Sequence, residues 1–132
     1  MSTLIDTEEL IPRFFEMEGG GRVQLKTISV SDFKSIQKKT VRKKVDYQKV
    51  GGTPARLEYE DVDQDLQNEL YWDTVIVGWE NLVDKNGKEI PCNKETKTLL
   101  MTRSKKFLDF VVESLKTLAE DDAAAKEAEA KN

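Results

Sequence analysis

The residues best suited to chemistry lie in one short segment, DKNGKEIPC, which runs from Asp84 to Cys92 and holds carboxylates, an asparagine amide and the chain's single thiol. An EF-hand loop needs a regular series of oxygen ligands, a central glycine and a closing glutamate. If Gly87 is the central glycine, Leu82 falls at the first ligand position. If Asp84 is the first ligand, Glu89 falls where glycine is needed. Neither register makes a calcium loop, so a tight Asn-Gly turn is the better interpretation.

The chain contains no histidine. This excludes Ser–His–Asp and Cys–His catalysis within one chain and removes the commonest general base and metal ligand. A zinc site would have to combine Cys92 with carboxylates, and no second cysteine can form a disulfide. Lys88 and Lys94 are near Cys92 in sequence and would lower its thiol pKa somewhat, but no base or resolving cysteine accompanies it. We therefore expect a non-catalytic protein that binds no metal and no cofactor, with a structural or incidental Cys92.

Length and composition indicate a small, very polar globular protein. The chain has 132 residues, 38% of them hydrophobic and 35% charged, and its mean hydropathy is −0.60. We expect one α+β domain over residues 1–120 and a flexible tail rich in Ala, Glu and Lys over residues 121–132. No apolar run approaches the ~20 residues that span a membrane, and the acidic N-terminus lacks a signal-peptide layout. These features predict a protein of the reducing cytoplasm that does not bind membranes.

Two β-hairpins are predicted in the N-terminal half. Apolar residues alternate on both sides of Gly19–Gly21, in RFFEM and RVQLK, which favours a hairpin over a flexible glycine linker. Further along, VRKKVDYQKV and ARLEYEDV flank a second turn signal. There Gly51, Gly52 and Pro54 predict a loop longer than two residues.

A short helix, SDFKSIQKKT, is predicted between the hairpins, and helices fill the C-terminal half. In QDLQNELYWDTVIVGWENL, residues Trp72, Val75, Ile76 and Trp79 follow helical spacing, so we favour one amphipathic helix. The alternative is a buried strand, TVIVGW, because its first four residues are β-branched. The candidate helix caps are Ser29 or Ser31, Asp61 or Asp63, Asn93 or Thr96, and Thr102 or Ser104. The predicted core comprises Phe15, Val23, Leu25, Phe33, Ile36, Leu66, Leu70, Ile76, Trp79, Phe107, Phe110, Val111 and Leu115.

A basic segment spans Lys34–Lys49, with Asp46 as its only acidic residue. It could bind phosphate backbones or an acidic protein through residues such as Lys43 and Lys44. The alternative is a solvated hairpin edge on which lysines prevent strand pairing. The net charge of −4 argues against a dedicated nucleic-acid-binding protein.

The predicted helix around Trp72 carries more large apolar residues than one face can bury. Tyr71, Trp72 and Val77 would point in different directions, so we expect some of them to bind a partner or a second copy of the chain. The alternative is that an N-terminal arm folds back and covers them; its apolar residues are Leu4, Ile5, Leu10 and Ile11.

The region Phe14–Leu118 resembles the small tail assembly chaperones of long-tailed bacteriophages and prophages. In that family an acidic-aromatic stretch leads into a D-x-x-G turn, a proline and a polar helix start. The matching residues here are Trp79, Glu80, Asp84, Gly87, Pro91, Cys92, Asn93, Glu95 and Lys97. The upstream GGGRVQLKTISVSDF is similar to the strand-then-helix opening of the same proteins.

The resemblance implies a protein that escorts the long helical tape-measure protein and recruits major tail protein in the host bacterial cytoplasm. It also implies that the protein is absent from the mature virion and has no active site. Self-association along the tape-measure chain is expected. The alternative is a small nucleic-acid-binding or regulatory module that acts through the segment Lys34–Lys49.

Overall fold

The computed structural model describes residues 2–3 and 11–131, with side chains as far as Asp122. Hairpins and a short helix occupy the N-terminal half and helices most of the C-terminal half, which confirms the predicted α+β class. The alternative in which the N-terminal segment folds back falls outside the described residues for Leu4, Ile5 and Leu10. Ile11, the fourth residue of that alternative, is 84% exposed. The elements are β1 (Arg13–Glu16), β2 (Arg22–Leu25), α1 (Val30–Thr40), β3 (Val41–Val50), β4 (Thr53–Val62), α2 (Gln64–Val75), β5 (Ile76–Glu80), α3 (Lys94–Arg103) and α4 (Lys105–Lys131).

The core lies between a small antiparallel sheet and the C-terminal helices. The sheet has the order β1-β2-β5, and in β2 the alternating residues Val23 and Leu25 are fully buried. They pack with Phe107 and Val111 of α4, which form part of the same buried cluster. Helix α4 continues through the Ala/Glu/Lys-rich segment to Lys131. The flexibility proposed for residues 121–132 stays a prediction. Within the described residues, none of the helices combines the length and apolar character needed to cross a bilayer.

The helix predicted across residues 64–82 is wrong beyond Val75. Helix α2 ends there, and Ile76–Glu80 form strand β5, as the alternative interpretation proposed. In the pairing with β2, Ile76 lies opposite Leu25 and Trp79 opposite Val23, so Val77 is an extra residue in a bulge. A bulge places two residues three apart on the same face of a strand. The helical spacing of Ile76 and Trp79 therefore comes from an irregular strand.

The helix boundaries follow the capping chemistry of the sequence. Ser29, Asp63 and Asn93 cap α1, α2 and α3, each accepting a hydrogen bond from a backbone amide three residues later. Ser104 Oγ accepts from the Phe107 amide at the start of α4. One member of each predicted pair of caps is thus confirmed.

Most of the predicted core is confirmed, but Phe33 is exposed, and Leu66 and Leu70 are only partly buried and lie outside the main core cluster. Phe33 is 51% exposed, because α1 turns Ile36 and Thr40 inward and leaves Phe33 at the surface. Buried Lys97 donates to Asp73 Oδ1 at 3.0 Å and links α3 to α2, a tertiary contact that the sequence does not suggest. The predicted core residues that are buried or partly buried are Phe15, Val23, Leu25, Ile36, Leu66, Leu70, Ile76, Trp79, Phe107, Phe110, Val111 and Leu115.

Strands β3 and β4 form a separate two-stranded ribbon, which we call the arm (Val41–Val62). Its ten pairs run without interruption from Val41 opposite Val62 to Val50 opposite Thr53. The turn has only two residues, Gly51 and Gly52, both at positive φ, so the longer predicted loop is wrong. At ~3.4 Å per residue the arm is about 34 Å long. Nearly all of its side chains are exposed, so it has little packing against the rest of the protein.

Candidate functional site

The turn that follows β5 is held by the Asp84 side chain. Asp84 Oδ1 accepts hydrogen bonds from the amides of Asn86 at 2.8 Å and Lys88 at 3.1 Å. The Gly87 amide donates to the Asp84 carbonyl, and Gly87 adopts a positive φ of 77°. The carboxylate that could have bound a cation is thus used to close the turn, as the tight-turn interpretation requires.

The segment after the turn is fastened to the sheet and to α3. Trp79 Nε1 donates to the Ile90 carbonyl at 2.8 Å, and Val83 pairs with Glu89 in an isolated bridge. Asn93 and Thr96 form a capping box at the start of α3. The loop joins a strand to a helix, whereas the sequence suggested a connection between two helices. Within it, the side chains of Asp84 and Asn93 accept hydrogen bonds from nearby backbone amides.

The structure corrects the expectation for Cys92. Cys92 is exposed at the surface, but desolvation by neighbouring groups raises the pKa of its thiol, whereas Lys88 and Lys94 were expected to lower it. Lys97 is the cation that opposes this rise, and its effect is the smaller of the two. A raised pKa leaves less thiolate at neutral pH, which is the opposite of what a nucleophilic cysteine needs.

The part of the chain that the structure describes offers few groupings of side chains that could bind a metal ion or a small ligand. No cluster of three or more His, Cys, Asp or Glu residues is arranged there to hold a metal ion. Cavities of about 280 and 270 Å³ lie beside the turn and share Asn81, Leu82 and Ile90 in their walls. The first is walled by β5 and the loop, and the second also by the β1–β2 turn and by residues of α3 and α4, including Leu100 and Phe107. We assign both cavities to the scaffold.

An apolar groove lies between α1 and α2. Its volume is about 240 Å³, room for an anchoring side chain or two but not for a cofactor-sized ligand. Phe33 stands half exposed at its rim and Ile36 is buried at its base. Burial raises the pKa of the Tyr71 phenol, which lines the opposite wall. We call this the α1–α2 groove; its lining residues are Ile28, Phe33, Ile36, Gln37, Gln67, Asn68 and Tyr71.

The predicted partner-binding residues occupy three different places. Tyr71 lines the α1–α2 groove, and Trp72 packs beside it against the core. Val77, 41% exposed, lies in the bulge of β5. Lys43 and Lys44 are exposed on β3 of the arm. Tyr71 and Trp72 are both partly buried against the core, and only Tyr71 reaches the groove. The binding role of all five residues stays a prediction.

The basic segment is paired with an acidic strand. Arg42 of β3 lies opposite Asp61 of β4, and Lys43 lies opposite Glu60. Lys44 Nζ is 2.9 Å from Asp61 Oδ2, and this hydrogen bond raises the pKa of Lys44. Carboxylates so close to the lysines reduce the positive potential available to a phosphate backbone. The charge arrangement therefore weakens the case for nucleic-acid binding.

Sequence reasoning missed the α1–α2 groove because it assigned Phe33 to the core. Ile28 also went unnoticed, since it lies between β2 and α1 and belongs to no periodic pattern. The available signal was the spacing of Phe33 and Ile36 on a helix whose other residues are mostly polar. Such a helix has a narrow apolar stripe, and its edge remains open to a partner.

These features define a small α+β protein whose prominent surfaces, among the described residues, are an apolar groove and an extended ribbon. Residues 29–132 match the family model described as YdaY prophage protein. The match covers most of the chain, including the groove helices and the arm, so the chain belongs to the YdaY prophage protein family. No curated protein and no solved structure is significantly similar to it.

Proposed function

We propose that this prophage protein is a non-catalytic tail assembly chaperone. It binds amphipathic segments of the tape-measure protein in the α1–α2 groove and recruits major tail protein in the host cytoplasm. The observation that carries the proposal is the groove itself, an apolar recess with a half-exposed aromatic rim on a protein of a prophage family. The resemblance to tail assembly chaperones supplies the identity of the partner.

The shape and chemistry of the groove suit a helical ligand. Amphipathic helices bind in apolar grooves through a few anchoring side chains one helical turn apart. The apolar base at Ile36 would receive such an anchor, and Phe33 would cover it. The side-chain amide of Gln37 could hydrogen-bond the polar flank of the helix, as could the amide atoms of Gln67 and Asn68 that do not already bond Thr40 and Gln64. This division into an apolar centre and a polar margin is typical of reversible protein interfaces.

Co-expression with a tape-measure fragment tests this function. We expect the fragment to be insoluble alone and to co-purify as a soluble complex with the wild-type protein. Phe33→Asp should abolish the soluble complex, because it places a charge at the rim of the apolar site. Since Phe33 is already half exposed, the variant should fold normally, which circular dichroism can verify.

Val30→Asp is the matched control. Val30 lies on the same helix and is 71% exposed, but it does not line the groove. This variant should keep the complex. A fragment that stays insoluble with the wild-type protein, or complexes lost equally in both variants, would contradict the proposal.

A further inference from the structure

We propose that the arm is a self-assembly element. In this arrangement the outer edge of β3 in one copy pairs antiparallel with the outer edge of β4 in a second copy of the same chain. The arm is a different surface from the α1–α2 groove, so this inference does not depend on the proposed tail function. It rests on backbone geometry, on the charges of the two strands and on the exposed apolar side chains of the arm.

Both long edges of the arm present backbone groups that no other strand covers within the described residues, since this sheet contains only β3 and β4. Hydrogen-bonded and non-bonded pairs alternate along an antiparallel ladder. At the base of the arm the Asp63 amide donates to the Thr40 carbonyl at 2.8 Å, so Thr40 and Asp63 form a hydrogen-bonded pair. Every second pair along the arm is then hydrogen-bonded too, beginning with Arg42 and Asp61. The odd-numbered residues of β3 and the even-numbered residues of β4 therefore direct their amides and carbonyls outward.

The position of Pro54 is consistent with this assignment of outward-facing backbone groups. Pro54 is an even-numbered residue of β4, opposite Lys49, and its missing N–H would point outward rather than into the arm. The outer edge of β4 is therefore closed at the tip and open from Arg56 to Val62. The amide of Tyr47, an outward residue of β3, donates to Asp46 Oδ1. The Val41 amide at the base of the same edge donates to the Gln37 carbonyl. These two bonds satisfy two donors of the edge locally, and the outward amides of Lys43, Val45 and Lys49 are left to pair with a neighbouring strand.

The two edges carry opposite charge. Four basic residues and one acidic residue lie on β3, whereas β4 has one basic and three acidic residues. Pairing β3 with β4 of a second copy can repeat the register found inside the arm, with Lys43 opposite Glu60 of the neighbouring copy. Like charges opposite each other destabilise strand pairing. Charge therefore disfavours β3 against β3 and β4 against β4, and favours β3 against β4.

The exposed side chains give a reason for pairing to occur. A two-stranded ribbon alone in water is marginally stable, and a third strand stabilises it. Tyr47 is 71% exposed, Val50 62% and Tyr59 49%, so a neighbouring strand would remove apolar surface from water. Lysines on an edge prevent pairing with another basic edge, but an acidic edge offers them a partner.

Pairing of β3 with β4 between copies would extend from one copy to the next. Each copy would use its β3 edge on one side and its β4 edge on the other, so every added copy presents a free edge of each kind. Head-to-tail contacts of this type form open rows or closed rings, and not isolated dimers. Each junction would be weak alone, and many copies held on one long partner would reinforce one another.

Sedimentation velocity over a wide range of protein concentration tests the proposal. We expect the average mass of the wild-type protein to rise with concentration and to fall when salt is added. Val45→Pro should abolish the association without lowering the melting temperature, because the Val45 amide points outward and does not bond within the arm. Lys43→Glu and Glu60→Lys should each remove the association as well.

The double variant K43E/E60K separates pairing between copies from the stability of the arm. It restores opposite charges both within the arm and between copies, so it should associate with itself. It should not co-assemble with the wild-type protein. In a junction between a variant copy and a wild-type copy, positions 43 and 60 would place two lysines or two glutamates opposite each other. A wild-type protein that is monomeric throughout, or a double variant that mixes freely with it, would overturn the proposal. So would a wild-type monomer that binds duplex DNA through Lys43.

Discussion

At the scale of single residues, the polar side chains of the turn segment are used for architecture. Asp84 closes the turn through two backbone amides, and Asn93 exchanges hydrogen bonds with Thr96 at the start of α3. A D-x-x-G motif followed by Pro and Asn is therefore a structural signature here, although its residue types are those of a metal loop. The register mismatch with an EF-hand was visible in the sequence, so the tight turn could be predicted from it.

Cys92 gives a pH-dependent prediction. Because desolvation by its neighbours raises the thiol pKa, the rate of alkylation by iodoacetamide should rise with pH around a higher midpoint in the folded protein than in urea. The neutral thiol is the form that folding favours. Its contribution to stability is therefore present below the pKa of the unfolded chain and is lost as the pH rises through the folded pKa. A folded midpoint below the unfolded one would indicate an activated thiolate and contradict the structural role.

At the scale of elements, β5 connects the sheet, the turn and α4 through one side chain. The Trp79 ring meets the Phe107 ring edge to face at 5.9 Å, and its Nε1 donates to Ile90 in the turn. The strand is short, so losing this anchor would loosen both the loop and the sheet edge. We therefore expect Trp79 to be among the most sensitive positions outside the fully buried core.

Trp79→Ala should destabilise the fold by ~3 kcal/mol or more, since it removes a large packed ring and opens a cavity. Trp79→Phe is the control: it keeps an aromatic ring and loses one hydrogen bond, which should cost about 1 kcal/mol. Urea unfolding of the three proteins gives these differences. Equal stability of the wild-type and alanine proteins would show that β5 does not hold the turn against α4.

Local features of the fold could be predicted from the sequence, and tertiary features could not. Caps and glycine turns depend on neighbouring residues, so the cap at Asn93 and the position of the turn at Gly51 were predicted correctly, although the length of that turn was not. The bulge at Val77 depends on pairing with a strand distant in sequence, and it produced a spacing that imitates a helix. Phe33 was misplaced for the same reason, because α1 alone does not reveal which of its sides meets α2.

At the scale of the whole molecule, the two proposed functions belong to two different surfaces. The α1–α2 groove would bind a helical partner, and the arm would join copies of the chain along it. The two sites lie on different elements, so variants can separate them: Phe33→Asp should affect only partner binding and Val45→Pro only self-association. The family match covers both α1 and the arm.

The central claim is that the α1–α2 groove receives an amphipathic helix of the tape-measure protein. The most direct measurement is an NMR titration of the labelled protein with a soluble peptide from that helix, alongside a scrambled peptide of the same composition. We predict that chemical-shift changes concentrate in the groove-lining segments 28–37 and 67–71 and appear only with the native peptide. Changes confined to the arm or to the turn at 84–88, or no changes at saturating peptide, would contradict the claim.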